Sequence, residues 1–194
     1  MADANSQRLI HTHTQADRWD LIIAHPPCTH LTVSGARHFE KKRQDGRQRE
    51  GIELFCKFLE VDCDKVAIEN PIGIISGNYI REYFPDIAEK YGLPIKATQI
   101  IQPYEFGHPF IKTTCLWLKG LPCLVPTNVL VKPKSGWENQ SFTADGRYGG
   151  FNSKFTGSKG RSKTFQGIAE AMAEQWGNYI TNGEVPVGTQ FSFW

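Results

Sequence analysis

The sequence predicts a single α/β domain built on a mostly parallel sheet, and three stretches carry that expectation. Asp20–Ala24 is a short apolar run stopped by His25-Pro26-Pro27, the form of a strand buried on both faces. Residues 40–60 turn helical, with Ile52, Phe55, Phe58 and Leu59 at three- and four-residue spacing and charges between them. Lys65–Glu69 is a second buried run, closed by Asn70-Pro71. A strand, helix, strand order of this kind implies a right-handed parallel unit, so the loops after both strands leave the same sheet edge. Ligands of parallel sheets sit beyond that edge, and Cys28 and Glu69 both fall there.

The remaining elements follow in order. Residues 1–18 are polar and aperiodic, a loose lead-in or a short strand near Arg8–His11. After Glu69 the pattern predicts a helix over Arg81–Tyr91, a strand over Thr98–Ile101 and another over Thr113–Leu118, bringing the sheet to four or five strands. Residues 122–162 are rich in Pro, Gly, Ser and Asn with isolated aromatics, the composition of a long loop region. A final helix spans Thr164–Tyr179, with Thr164 as its N-cap and Ile168, Met172, Ala173 and Trp176 along one side, before a tail over 181–194.

Composition narrows the class. The 194 residues are 40% hydrophobic and 22% charged, as in globular proteins, and suffice for one core rather than two domains. Five cysteines, an odd number without a secretory leader, point to a reducing, cytoplasmic compartment. No apolar run approaches the roughly 20 residues of a membrane span. A net charge of +2 is too small to establish a nucleic-acid partner on its own. Its distribution is more telling: Arg37, Lys41 and Lys42 lie in one basic stretch and Lys159, Arg161 and Lys163 in another, either suited to track phosphates or to form a solvated face.

Two residues stand out chemically. Cys28 follows a strand in an open loop flanked by His25 and His30, a setting that favours the nucleophilic thiolate, whereas Cys56 on the apolar side of a helix and Cys115 in a strand read as core. Glu69 ends a buried strand, where a carboxylate needs a turn to cap, a partner such as Arg81 or Lys112, or a proton-sharing purpose. A zinc site at His25, Cys28, His30 and His38 competes for the same residues, but the spacing lacks a Cys-x-x-Cys or helical His pair and the Pro-Pro stiffens the loop, so no metal is assigned. A nicotinamide-dependent dehydrogenase is disfavoured because no Gly-x-Gly-x-x-Gly follows the first strand.

Ala24-His25-Pro26-Pro27-Cys28 and Ile68-Glu69-Asn70-Pro71 resemble the Pro-Cys and Glu-Asn motifs of the DNA cytosine carbon-5 methyltransferases, in matching order and separation. Phe106–Pro109 with Lys112–Leu118 is similar to that family's next motif, and Gly167–Trp176 to its closing helix. The similarity runs from Trp19 to Trp176 and is nearest to small phage-type members. It implies a Rossmann-like, N-terminally truncated methyltransferase-like fold, acting in a bacterial or phage-infected cell on a cytosine base in DNA or a pyrimidine nucleotide. By motif, Cys28 is the nucleophile that adds to carbon 6 and Glu69 the partner of N3. Pro27, Asn70, His108 and Lys112 line the substrate, and S-adenosylmethionine is the methyl donor.

The family's opening glycine-rich turn, of the type Phe-x-Gly-x-Gly, has no counterpart before Cys28. The position after Pro-Cys holds Thr29 rather than glutamine, and the basic residues of the intermediate motif are reduced to Lys112. Four routes stay open: another way of binding the cofactor, a second chain or homodimer completing the site, a different electrophile, or a noncatalytic nucleic-acid or nucleotide-binding module derived from such an enzyme.

Overall fold

The computed structural model of the chain describes residues 18–132, 140–142, 148–151 and 164–189, with backbone alone for the second and third of these segments. The elements are β1 (Ile22–Ala24), α1 (Phe39–Gln44), α2 (Arg47–Leu59), β2 (Val66–Pro71), α3 (Tyr79–Tyr83), α4 (Pro85–Tyr91), β3 (Gln99–Ile101) and β4 (Thr114–Lys119). A separate hairpin, β5 (Gln140–Phe142) and β6 (Tyr148–Phe151), precedes a helix α5 of three contiguous pieces, Gln166–Ala171, a π-helical Met172–Trp176 and Gly177–Asn182. No helix among the described residues is long and apolar enough to cross a membrane.

The α/β class holds, but the sheet is not mostly parallel. Its order is β1-β2-β4-β3; only β1 and β2 pair in parallel, with Ala24 opposite Ile68, while β4 runs antiparallel to both β2 and β3. The reason is in the connections. No helix crosses over between β3 and β4, so β4 turns back and inserts between β2 and β3. A strand buried on both faces has the same composition whichever way it runs, so the apolar run at Thr113–Leu118 did not reveal its direction. The carboxyl ends of β1, β2 and β3 and the amino end of β4 therefore share one edge.

Side chains alternate between two cores. Val66, Ile68, Cys115 and Trp117 face a cluster with Ile52, Phe55 and Cys56 of α2 and Ile80 and Ile87 of α3 and α4. Ala67, Leu116 and Leu118 face the opposite cluster with Ile168, Met172 and Trp176 of α5. The Phe55 and Trp117 rings meet edge to face at 5.0 Å, and Trp117 Nε1 donates to the Ile95 carbonyl at 3.0 Å.

Three predicted helices are reshaped by single residues. The helix expected over 40–60 is two, because Gly46 takes φ 83 between α1 and α2. That expected over 81–91 starts at Tyr79 and breaks before Pro85, which opens α4 at a position where its missing N–H is tolerated. The last helix is capped by Phe165 rather than Thr164, with no side-chain cap bond. The long loop region contains the β5–β6 hairpin, and its residues 133–139, 143–147 and 152–163, with Lys159, Arg161 and Lys163, lie outside the described residues, as do the lead-in 1–17 and the tail from 190 onward.

Candidate active site

Two loops meet beyond the sheet edge. The first leaves β1 through His25-Pro26-Pro27 into a short 3-10 turn, Cys28–His30, closed by the Leu31 and Thr32 amides donating to the Cys28 carbonyl at 3.0 Å each. The second leaves β2 through Ile72-Gly73. They are zipped together: Ile74 N donates to Leu31 O at 2.9 Å, and Val33 N to Ile72 O at 3.3 Å. The approach leaves no room at Gly73, where a Cβ would stand 2.3 Å from the Leu31 carbonyl oxygen.

A side chain fastens the loops nearer the chemistry. Asn70, buried directly after Glu69, donates from Nδ2 to the carbonyl of Pro26, two residues before Cys28, at 2.8 Å. Asn70 thus holds the Cys28 loop through its side-chain amide, and its Oδ1 is buried without a hydrogen-bond partner. Pro27 is exposed at the lip of the site.

Glu69 does not pair with Arg81 or Lys112. Its Oε2 lies 3.0 Å from His25 Nδ1, with the carboxylate 14% exposed and the imidazole 43%. Arg81 instead donates to the Leu93 carbonyl. Sequence reasoning placed His25 beside Cys28 and missed this partnership. The parallel register held the signal, because Ala24 opposite Ile68 makes His25 and Glu69 the next residues along neighbouring strands.

No described side chain hydrogen-bonds the Cys28 sulfur. Cys28 is half-buried, as is Cys123, whereas Cys56, Cys63 and Cys115 are buried. Burial pushes the Cys56 thiol up to about 12, and burial followed by the Glu69 charge raises that of Cys115, which bears out both as core residues. His30 turns inward with Nδ1 buried and unpartnered. Burial first, then the Lys42 and Arg47 charges, hold its imidazole below the usual histidine range. Among the described residues no cluster of three His, Cys, Asp or Glu is placed to hold a metal ion.

The first basic stretch divides by role. Lys42 is buried, and its ammonium donates to the Thr29 carbonyl at 2.5 Å, so it supports the Cys28 loop and is withdrawn from the expected phosphate track. Arg37 and Lys41 are exposed. Arg43, in the same basic stretch, bonds the Tyr79 hydroxyl and stacks 4.0 Å above the Tyr83 ring. An open groove of about 560 Å³ lies along this side, lined by Val33, Arg37, Phe39, Arg43, Gly73 and Tyr79.

His108 and Lys112, on the segment leading into β4, reach the same edge. His108 is already engaged, since its Nε2 accepts the Gly167 amide at 2.9 Å and so anchors the start of α5, and Lys112 lies 5.8 Å from the centre of the Phe165 ring. A Cβ at Gly167 would stand 2.0 Å from the Phe106 carbonyl, which accounts for a glycine there.

Compared with known families, curated proteins and solved structures, the chain matches none. The site rests on its own geometry: a half-buried thiol and a partly buried, histidine-held carboxyl on two fastened loops at one sheet edge.

Proposed function

We propose that the chain performs covalent chemistry on a cytosine-type base, in DNA or in a pyrimidine nucleotide, as a cytosine carbon-5 methyltransferase-like protein with a Rossmann-like core. The observation that supports the reading is the Asn70–Pro26 bond, which ties the loop carrying Cys28 to the strand end carrying Glu69, the two groups to which the reading gives the roles of nucleophile and proton donor.

The addition balances without a further reactant. The Cys28 thiolate forms the bond to carbon 6, the C5=C6 pair moves to C4=C5, and the C4=N3 pair takes a proton from Glu69. The products are a covalent adduct protonated at N3, a Glu69 carboxylate and an electron-rich carbon 5. A base must leave its stack to be reached in this way. Lys112, at the same edge, is suited to a substrate phosphate.

S-adenosylmethionine, implied by the resemblance, is not matched by the described residues. β1 leads into Pro26-Pro27 and β2 into Ile72-Gly73, and neither is the glycine-rich strand-to-helix turn that the family uses to hold this cofactor. No methyl-transfer step is therefore assigned to this chain's own residues.

A second reading, a noncatalytic nucleic-acid-binding module, is favoured by the groove of Arg37, Arg43 and Tyr79, which does not need Cys28 to react.

Covalent trapping separates the two. The protein and a Cys28→Ser control are incubated with 5-fluorocytosine in an oligonucleotide or as the nucleotide, with and without S-adenosylmethionine, and weighed intact. An adduct that needs Cys28 supports the enzyme, and its dependence on S-adenosylmethionine names the electrophile. Binding with no adduct in any arm supports the module.

A further inference from the structure

We propose that His25 is the positioning residue of this site, holding Glu69 by donating its Nδ1 hydrogen to Oε2 and stabilising the carboxylate that forms when Glu69 gives its proton to the base. The inference rests on the addition chemistry above and adds a residue to which the motif resemblance gave no role.

Three observations carry it. The Nδ1–Oε2 separation is 3.0 Å, an ordinary hydrogen bond. Glu69 is largely shielded, where a carboxylate without a donor is costly, and among the described residues His25 is the one side chain that hydrogen-bonds its carboxyl. The pair is also geometrically fixed: the backbones of both residues continue from the paired Ala24 and Ile68, and the Asn70–Pro26 bond holds the next residue on each strand. With Oε2 taken by His25, Oε1 is the oxygen that serves N3.

The same arrangement gives His25 a part in the reaction without contact to the substrate. Before addition, the protonated carboxyl donates from Oε1 while Oε2 accepts from Nδ1. As sulfur bonds carbon 6 and N3 takes the Oε1 proton, negative charge develops on the carboxylate, and a donor already aimed at Oε2 requires no reorganisation to meet it. A neutral imidazole does this only with its hydrogen on Nδ1, so the tautomer is a direct readout of the pairing.

The test joins two measurements on the full chain. In the trapping assay, His25→Ala slows adduct formation about tenfold or more, while His25→Asn, whose side-chain amide offers a donor at a similar reach, returns to within about threefold of the parent. A role in loop packing alone would not be rescued by the smaller asparagine. Separately, ¹⁵N NMR of histidine-labelled protein at alkaline pH finds the His25 hydrogen on Nδ1, and moves it to Nε2 in Glu69→Ala. Adduct formation by His25→Ala at the parent rate, or His25→Asn as slow as His25→Ala, overturns the role. A parent His25 with its hydrogen on Nε2 overturns the pairing itself, whatever the adduct assay gives. A parent protein that forms no adduct, with Nδ1–H intact, overturns the addition chemistry and the role derived from it while leaving the pair in place.

Discussion

Replacing Asn70 by alanine tests whether the two loops are held as described. The substitution removes the 2.8 Å bond to the Pro26 carbonyl, a contribution of about 1 kcal/mol, and leaves a buried carbonyl unsatisfied, a further 1–3 kcal/mol by the usual range. It also deletes Oδ1, which has no partner and whose burial already opposes folding, so part of that loss is returned. The net is about 2 kcal/mol, which for a chain of this length lowers the melting temperature by about 4–8 °C. Asn70→Asp is predicted to be worse, because it sets a carboxylate against the same carbonyl in a buried position. Thermal melts followed by circular dichroism give the stability, and the trapping rate gives the alignment of Cys28 with Glu69. An Asn70→Ala protein that melts within about 1 °C of the parent and traps at the parent rate would refute the claim that this bond fastens the loops.

Other consequences follow from neighbouring contacts. Gly73→Ala forces a Cβ onto the Leu31 carbonyl and is expected to destabilise by about 1–3 kcal/mol in urea titrations, whereas Gly77→Ala, with nothing within 4 Å of its Cβ, serves as a near-neutral control. In reaction with a disulfide reagent, Cys28 should give the fast phase, lost in Cys28→Ser. Cys56 should stay silent until unfolding, and since its folded thiol titrates near 12 against an ordinary 9.0, the stability it contributes is present below pH 9.0 and declines as pH rises toward 12. His30 works in the opposite sense. Its folded imidazole is held below the ordinary 6.5, so the unfolded chain takes up the proton first and stability falls as pH drops below 6.5; melts at pH 7.5 and 5 should show a drop that is smaller in His30→Gln.

Sequence patterning located the sheet's interior well. The apolar runs at Ile22–Ala24, Val66–Ile68 and Cys115–Leu118 became strands, and Cys56 and Cys115 became core, because burial follows from composition and period. Strand direction was not legible, since a run such as Leu116-Trp117-Leu118 is equally apolar read either way and only the chain's return through residues 102–113 decides it. At the site, the positions of Cys28 and Glu69 on adjacent strand ends followed from the strand, helix, strand order. The partnerships did not: whether Glu69 meets Arg81, Lys112 or His25 depends on register at the level of single residues, and whether Lys42 faces solvent or bends under the Cys28 loop depends on how α1 packs.

The proposed addition of Cys28 to carbon 6 of cytosine is tested by hydrogen exchange at carbon 5. Once sulfur is bonded to carbon 6, carbon 5 is nucleophilic enough to take up a solvent deuteron, and elimination then returns labelled cytosine with no methyl donor required. Incubation with a cytosine-containing oligonucleotide, and with the nucleotide, in D₂O is followed by proton NMR of the carbon-5 resonance. The signal is expected to decay with the parent protein in at least one of these arms and to persist with Cys28→Ser. Persistence with the parent in both arms, or equal decay with Cys28→Ser, would contradict the addition.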